Sequence, residues 1–127
     1  MKNVPLHRLQ PKFIRLVDVL LDRKGVYKKT LAAEVGIQPS RLSALMTGKL
    51  TLSAIYLAPF IWGGMITVAE IYDGKAESDR EKRFWAQMSV VQRQDLTELM
   101  LQCEEQGLNV HDVLLKEFLK TKAGKKS

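Results

Sequence analysis

An all-α fold is predicted, and three observations carry it. Apolar residues recur at three- and four-residue spacing along most of the chain, no stretch alternates with a period of two, and the helical stretches are bounded by residues that start and stop helices. The 127 residues suit one domain, or a small domain with a helical extension, and suffice for a hydrophobic core without disulfides or metal.

Pro11 suits the first turn of a helix, where a missing N–H costs nothing. Phe13, Ile14, Val17, Leu20 and Leu21 follow at helical spacing, and Lys24 with Gly25 closes the segment. A short second helix has Leu31, Ala32 and Val35 on one face and stops at Gly36. A third, from about Pro39 to Met46, turns Leu42 and Leu45 inward and stops at Gly48. The fourth, over residues 52–62, contains Pro59, whose ring collides with the carbonyl of Ile55 and is expected to kink or split it before Gly63 and Gly64 end it. Thr67-Val-Ala-Glu70 is a capping box with Ile66 and Ile71 as its hydrophobic staple, opening a short fifth helix that ends at Asp73 and Gly74.

Residues 75–77 read as a junction. Ser78-Asp-Arg-Glu81 is a second capping box, before a helix with Phe84, Trp85 and Met88; Ser89-Val-Val-Gln92 is a third, before a longer helix with Leu96, Leu99, Met100 and Cys103 on its apolar face. Gly107 suits the end of that helix, and Asn109 caps a last one with Val110, Val113, Leu114 and Phe118 inward. The short link makes these two an antiparallel hairpin. The expected organisation is a first helical unit at residues 1–74, a second helical region at 75–120 and a basic, flexible tail at 121–127.

Charge is unevenly spread. Residues 1–50 hold ten basic and three acidic side chains (+7), residues 51–74 only Glu70 and Asp73, residues 75–118 six basic and nine acidic groups, and residues 119–127 four lysines. A polyanion is therefore drawn to the N-terminal third. The single cysteine, Cys103, can neither staple the chain nor build a zinc site; it fits a reducing cytoplasm and, beside Leu99 and Met100, a place in the core. His7 and His111 have no partner at ligand spacing, so no metal is expected. Residues 1–11 contain no apolar run of the signal-peptide kind. Residues 50–69 carry no charge, the length of a membrane span, but Thr51, Ser53, Pro59, Gly63, Gly64 and Thr67 interrupt them, and no membrane insertion is expected. Asp79, Glu81, Glu104 and Glu105 read as solvated helix charges, and no residue pattern points to an enzyme or a cofactor.

Residues 28–48 carry the functional expectation. Two short helices that cross closely need a small residue at the crossing, supplied by Ala32, and a positive φ in the turn, supplied by Gly36 four residues later. Ile37 is apolar and packs beneath the pair. The start and outer face of the second helix must be polar or small to enter a major groove, and Gln38, Ser40, Arg41 and Ala44 meet that need.

This pattern resembles the helix-turn-helix of the Cro and phage-repressor-like (XRE-type) family over roughly residues 13–74. The resemblance rests on Ala32 and Gly36, on Pro39 and Ser40, and on Leu42, Leu45, Gly48 and Lys49. It implies a five-helix, lambda-repressor-like domain with the motif as helices two and three, here followed by about three more helices. Pro59 and the Trp62-Gly-Gly end depart from the pattern and bear on helices four and five. The resemblance also implies base-edge contacts from Gln38, Pro39, Ser40 and Ala44. Pro39 and Ala44 offer only apolar contact, and Arg41 reaches either a phosphate or a guanine. Backbone phosphate contacts are implied for Lys28 and Lys29, aided by the helix dipole, and for Thr47, Gly48 and Lys49.

One recognition helix reads few base pairs, whereas a two-fold dimer reads two half-sites about 34 Å apart. Homodimerisation through Trp85, Leu96, Leu99, Met100, Val113, Leu114 and Phe118 is therefore expected. The function expected is a dimeric transcriptional regulator of phage or mobile-element type, cytoplasmic, binding a palindromic operator in double-stranded DNA and blocking or recruiting RNA polymerase. Two alternatives stand beside it: an antitoxin whose C-terminal helices bind a toxin protein, and a protein-interaction module on the same scaffold.

Overall fold

The computed structural model describes residues 4–74 and 79–124. The fold is all-α, with no strand among the described residues. A 3-10 turn, Leu6–Leu9, leads into α1 (Gln10–Lys24), followed by α2 (Lys28–Val35), α3 (Pro39–Met46), α4 (Ala54–Trp62), a π-helical turn (Ala69–Asp73), α5 (Asp79–Ala86), α6 (Val90–Glu105) and α7 (Val110–Gly124).

The opening turn is not apparent from sequence periodicity. It buries Leu6 and Leu9 against the core, so the chain is structured ahead of Pro11. α1 turns Phe13, Val17 and Leu20 inward, and Phe13 meets Phe60 edge to face at 5.1 Å between ring centroids. α4 is the centre of the molecule. Six of its nine residues are buried, and that is why its stretch of the sequence carries no charge. Among the described residues no helix is long and apolar enough to cross a membrane.

Pro59 does not split α4, which runs unbroken from Ala54 to Trp62. The carbonyl orphaned by the proline belongs to Ile55, the exposed residue of this helix, where water can meet it. The fifth helix of the expected domain is a single π turn. Its start nevertheless has the expected capping box: Thr67 N donates to Glu70 Oε1 at 2.9 Å, and Glu70 N donates to Thr67 Oγ1 at 3.0 Å. Ile66 and Ile71 are both buried beneath it. The third box is also formed, with Gln92 N donating to Ser89 Oγ and Ser89 N to Gln92 Oε1. The junction at residues 75–77 and Ser78 lie outside the described residues.

One core runs from Leu6 to Leu114, because α5 and α6 pack on α4. Trp62 and Trp85 meet at 5.3 Å, Trp85 meets Phe84 at 4.6 Å, and Phe84 meets Phe118 at 5.2 Å. This corrects the expected dimer seam. Trp85, Leu96, Met100 and Leu114 are covered by the chain itself, and Val113 and Phe118 are half-buried against the same core. Leu99 is instead exposed, because the buried stripe of α6 is the narrower one of Leu96, Met100 and Cys103. The helix of α7 extends to Gly124, past the expected start of a frayed tail; residues 125–127 lie outside the described residues.

Two carboxylates expected to be solvated are structural. Glu81 is buried and accepts hydrogen bonds from Val68 N, from Ala69 N at 3.3 Å and from Trp85 Nε1 at 3.0 Å. It thereby caps the π turn from α5. Ser53, at the N-cap of α4, makes no side-chain cap; Glu104 Oε1 on α6 accepts from Ala54 N at 2.9 Å in its place.

Candidate nucleic-acid interface

α2 and α3 pack on each other through Leu31, Ala32, Leu42 and Leu45, all fully buried. The turn between them is three residues long, and Gly36 sits at φ 82° with its N–H on Ala32 O at 2.9 Å. Ile37 N reaches the same carbonyl at 3.0 Å. A Cβ at Gly36 would meet no atom within 4 Å, so the need for glycine is conformational and not steric.

Burying Leu42 and Leu45 leaves the opposite side of α3 in solvent. Gln38, Pro39, Ser40 and Arg41 are exposed, and Ser43 is exposed beside them. Ala44 is half-buried, because its carbonyl receives Lys49 N and Leu50 N as the chain folds back after the helix. Lys28 and Lys29 are exposed at the start of α2, and Thr47, Gly48 and Lys49 are exposed after α3. Neither helix start receives a side-chain cap, so the positive dipole ends are left open, although α3 opens on Pro39, which has no N–H to offer. Thr47 Oγ1 is back-bonded to Ser43 O at 3.1 Å, and the N–H groups of Thr47, Gly48 and Lys49 donate to Ser43 O, Leu45 O and Ala44 O; this corrects the expected backbone contact here and leaves the Lys49 side chain as the outward donor.

Arg41 is not a loose side chain. Its Nη1 donates to the hydroxyl of Tyr56 on α4 at 3.0 Å, and Gln38, Arg41 and Tyr56 line one groove. Tyr56 is a partner of Arg41 that sequence reasoning missed, since it lies inside the apolar run of α4 with nothing local to mark it. Gln10 is another. Its Nε2 donates to Leu45 O at 2.9 Å and to Leu50 O at 2.8 Å, while its Oε1 accepts from Leu52 N at 3.1 Å. One amide from α1 thus clamps both ends of the loop that carries Lys49.

The electrostatic setting is one-signed. Between residues 23 and 69 the sole acidic residue is Glu34, and its carboxylate is paired with Lys24 Nζ at 3.4 Å. Elsewhere, Cys103 is buried in the core and His7 is exposed. His111 is almost wholly buried, with Nε2 3.9 Å from Asp73 and Nδ1 3.8 Å from Asp112. Among the described residues no group of three His, Cys, Asp or Glu side chains is placed to hold a metal ion.

No protein-family model matches the chain, and no curated protein or solved structure matches it either.

Proposed function

We propose that this chain is a sequence-specific DNA-binding transcriptional regulator that reads the major groove of a double-stranded operator with the outer face of α3. One observation carries the reading: Gln38, Pro39, Ser40 and Arg41 stand in solvent on one short helix, between exposed lysines at residues 28, 29 and 49, in a span whose single carboxylate is already neutralised. Lysines flanking a polar helix face supply the salt-sensitive phosphate attraction, and the face supplies the sequence readout. On this reading Arg41 makes the strongest single contact, Gln38 and Ser40 hydrogen-bond to base edges, and Pro39 and Ala44 make apolar contact. The phosphate grips are Lys28 and Lys29 on one side and the Lys49 side chain on the other.

The test is selection of bound fragments from random duplex DNA, followed by titration at several salt concentrations. Enrichment of a defined site, with affinity falling as salt rises, is the expected outcome. Equal, salt-independent failure to bind any duplex overturns the proposal.

A further inference from the structure

We infer that the cavity where the N-terminal turn, the loop ahead of α4 and the α6–α7 turn meet binds a small organic ammonium ion, its charge held by Glu104 and its apolar body by Leu6, Leu52 and Val110. The inference goes beyond the DNA-binding reading and does not rest on it.

The cavity measures about 400 Å³, within the range of small-ligand sites. Three stretches far apart in the sequence enclose it: residues 4–7, residues 51–53, and the end of α6 with the turn into α7. Leu6, Leu52 and Val110 form its apolar wall and are at the same time part of the core, so packing fixes the shape of the wall. Leu108 also lines it and is 54% exposed, an apolar surface that an occupant would cover.

The polar groups decide the chemistry of the ligand. Ser53 stands at the N-cap of α4 with the extended backbone of a capping serine, yet its hydroxyl makes no capping bond, and Glu104 Oε1 supplies the cap at Ala54 N. The serine hydroxyl is left over in the cavity beside that carboxylate. Glu104 is half-buried and spends one oxygen on the amide; its second oxygen meets no cation among the described residues. Among the described residues no lysine or arginine lines the cavity, although the chain has 20 of them. A half-buried carboxylate facing a cavity without a cation is poorly compensated. An ammonium group supplies the missing charge, with further N–H donors for the Ser53 and Thr51 hydroxyls. An anionic ligand is repelled there, and a neutral one leaves the charge unpaired.

The position gives such a ligand a reach into the molecule. Thr51, Leu52 and Ser53 follow directly on Lys49 and Leu50, and Leu52 N donates to Gln10 Oε1, the amide whose Nε2 also holds Leu45 O and Leu50 O. An occupant therefore touches the segment that continues from the exposed Lys49 loop.

Calorimetric titration and amide NMR of the full chain at pH 8, where imidazoles are neutral and alkylamines keep their proton, test the site with three probes of one shape. These are cyclohexylmethylamine, cyclohexylmethanol and cyclohexanecarboxylate. The amine is expected to saturate one site per chain with a Kd of about 1 mM or tighter and to shift the amides of Thr51, Leu52, Ser53 and Leu108. The alcohol is expected to bind at least tenfold more weakly, and the carboxylate not to saturate. Glu104→Gln keeps an oxygen for Ala54 N and removes the charge; it is expected to weaken the amine at least tenfold and leave the alcohol unchanged. Ser53→Ala removes a hydroxyl that makes no bond in the fold, and is expected to weaken the amine about threefold at an unchanged melting temperature. Failure of the amine to saturate, an alcohol or carboxylate that binds as tightly, or an unchanged amine affinity in either variant overturns the inference. Should Glu104→Gln not fold, the three probes on the wild type and the Ser53→Ala variant decide it. No duplex is present in these titrations, so their failure leaves the DNA-binding reading standing, and failure to bind DNA leaves this site standing.

Discussion

Arg41 and Tyr56 form the contact from which the strongest single-residue effects follow. Removing the guanidinium by Arg41→Ala is expected to weaken binding to a selected duplex by about 1–3 kcal/mol at fixed salt. Tyr56→Phe keeps the ring and removes the hydroxyl that orients Arg41, and is expected to cost about threefold in the same titration, roughly 0.6 kcal/mol, because the bond is exposed. Lys28→Ala acts differently: it weakens binding to all duplexes alike and flattens the salt slope by about one. A buried residue provides a pH test. Burial, reinforced by the nearby Glu104 carboxylate, pushes the Tyr72 hydroxyl above the ordinary tyrosine range. A folded-state pKa above the unfolded one means that the folded chain holds the proton more tightly. Its stabilising contribution is therefore complete below about pH 10 and is lost as pH rises through and beyond that value. The Tyr72 hydroxyl has no hydrogen-bond partner among the described residues, so Tyr72→Phe is expected to be neutral or stabilising at pH 7 and to flatten the fall in melting temperature above pH 10.

At the scale of elements, the α2–turn–α3 unit depends on one left-handed residue. Gly36→Ala is expected to destabilise the fold by about 1–2 kcal/mol in chemical denaturation although its Cβ meets no neighbouring atom, and Gly36→Asn by less, since asparagine tolerates positive φ. Gly36 was legible in the sequence because the signal is local: a small residue, four steps, a glycine, then an apolar residue. The capping boxes at Thr67 and Ser89 were legible for the same reason, as both partners lie within three residues. Glu81, Glu104 and Gln10 were not, because the backbone groups they satisfy lie 12–13, 50 and 35–42 residues away in sequence. A carboxylate on a polar helix face reads the same whether it meets water or another helix's amides. The outward residues of α3 were legible from Leu42 and Leu45 alone, whereas Tyr56 and the exposure of Leu99 depend on how α4 and α6 meet.

At the scale of the whole molecule, α5–α7 are structural supports of the α1–α4 unit. Glu81→Ala strands Val68 N–H, Ala69 N–H and the Trp85 indole N–H in a buried place, and is expected to cost about 3 kcal/mol, seen as a fall of roughly 10 °C in melting temperature. Ending the chain at Gly74 removes the cover from Trp62 and the cap from Ala54, and such a chain is expected to lose cooperative melting. The continuous core also sets an order of events during synthesis. A ribosome delivers α2 and α3 first, yet Leu96, Met100 and Leu114, which close the core around α4, are translated later. The nascent chain therefore holds α2 and α3 on an open, half-packed base until α7 emerges, so the surface they present is fixed only when the chain's later helices have closed over α4.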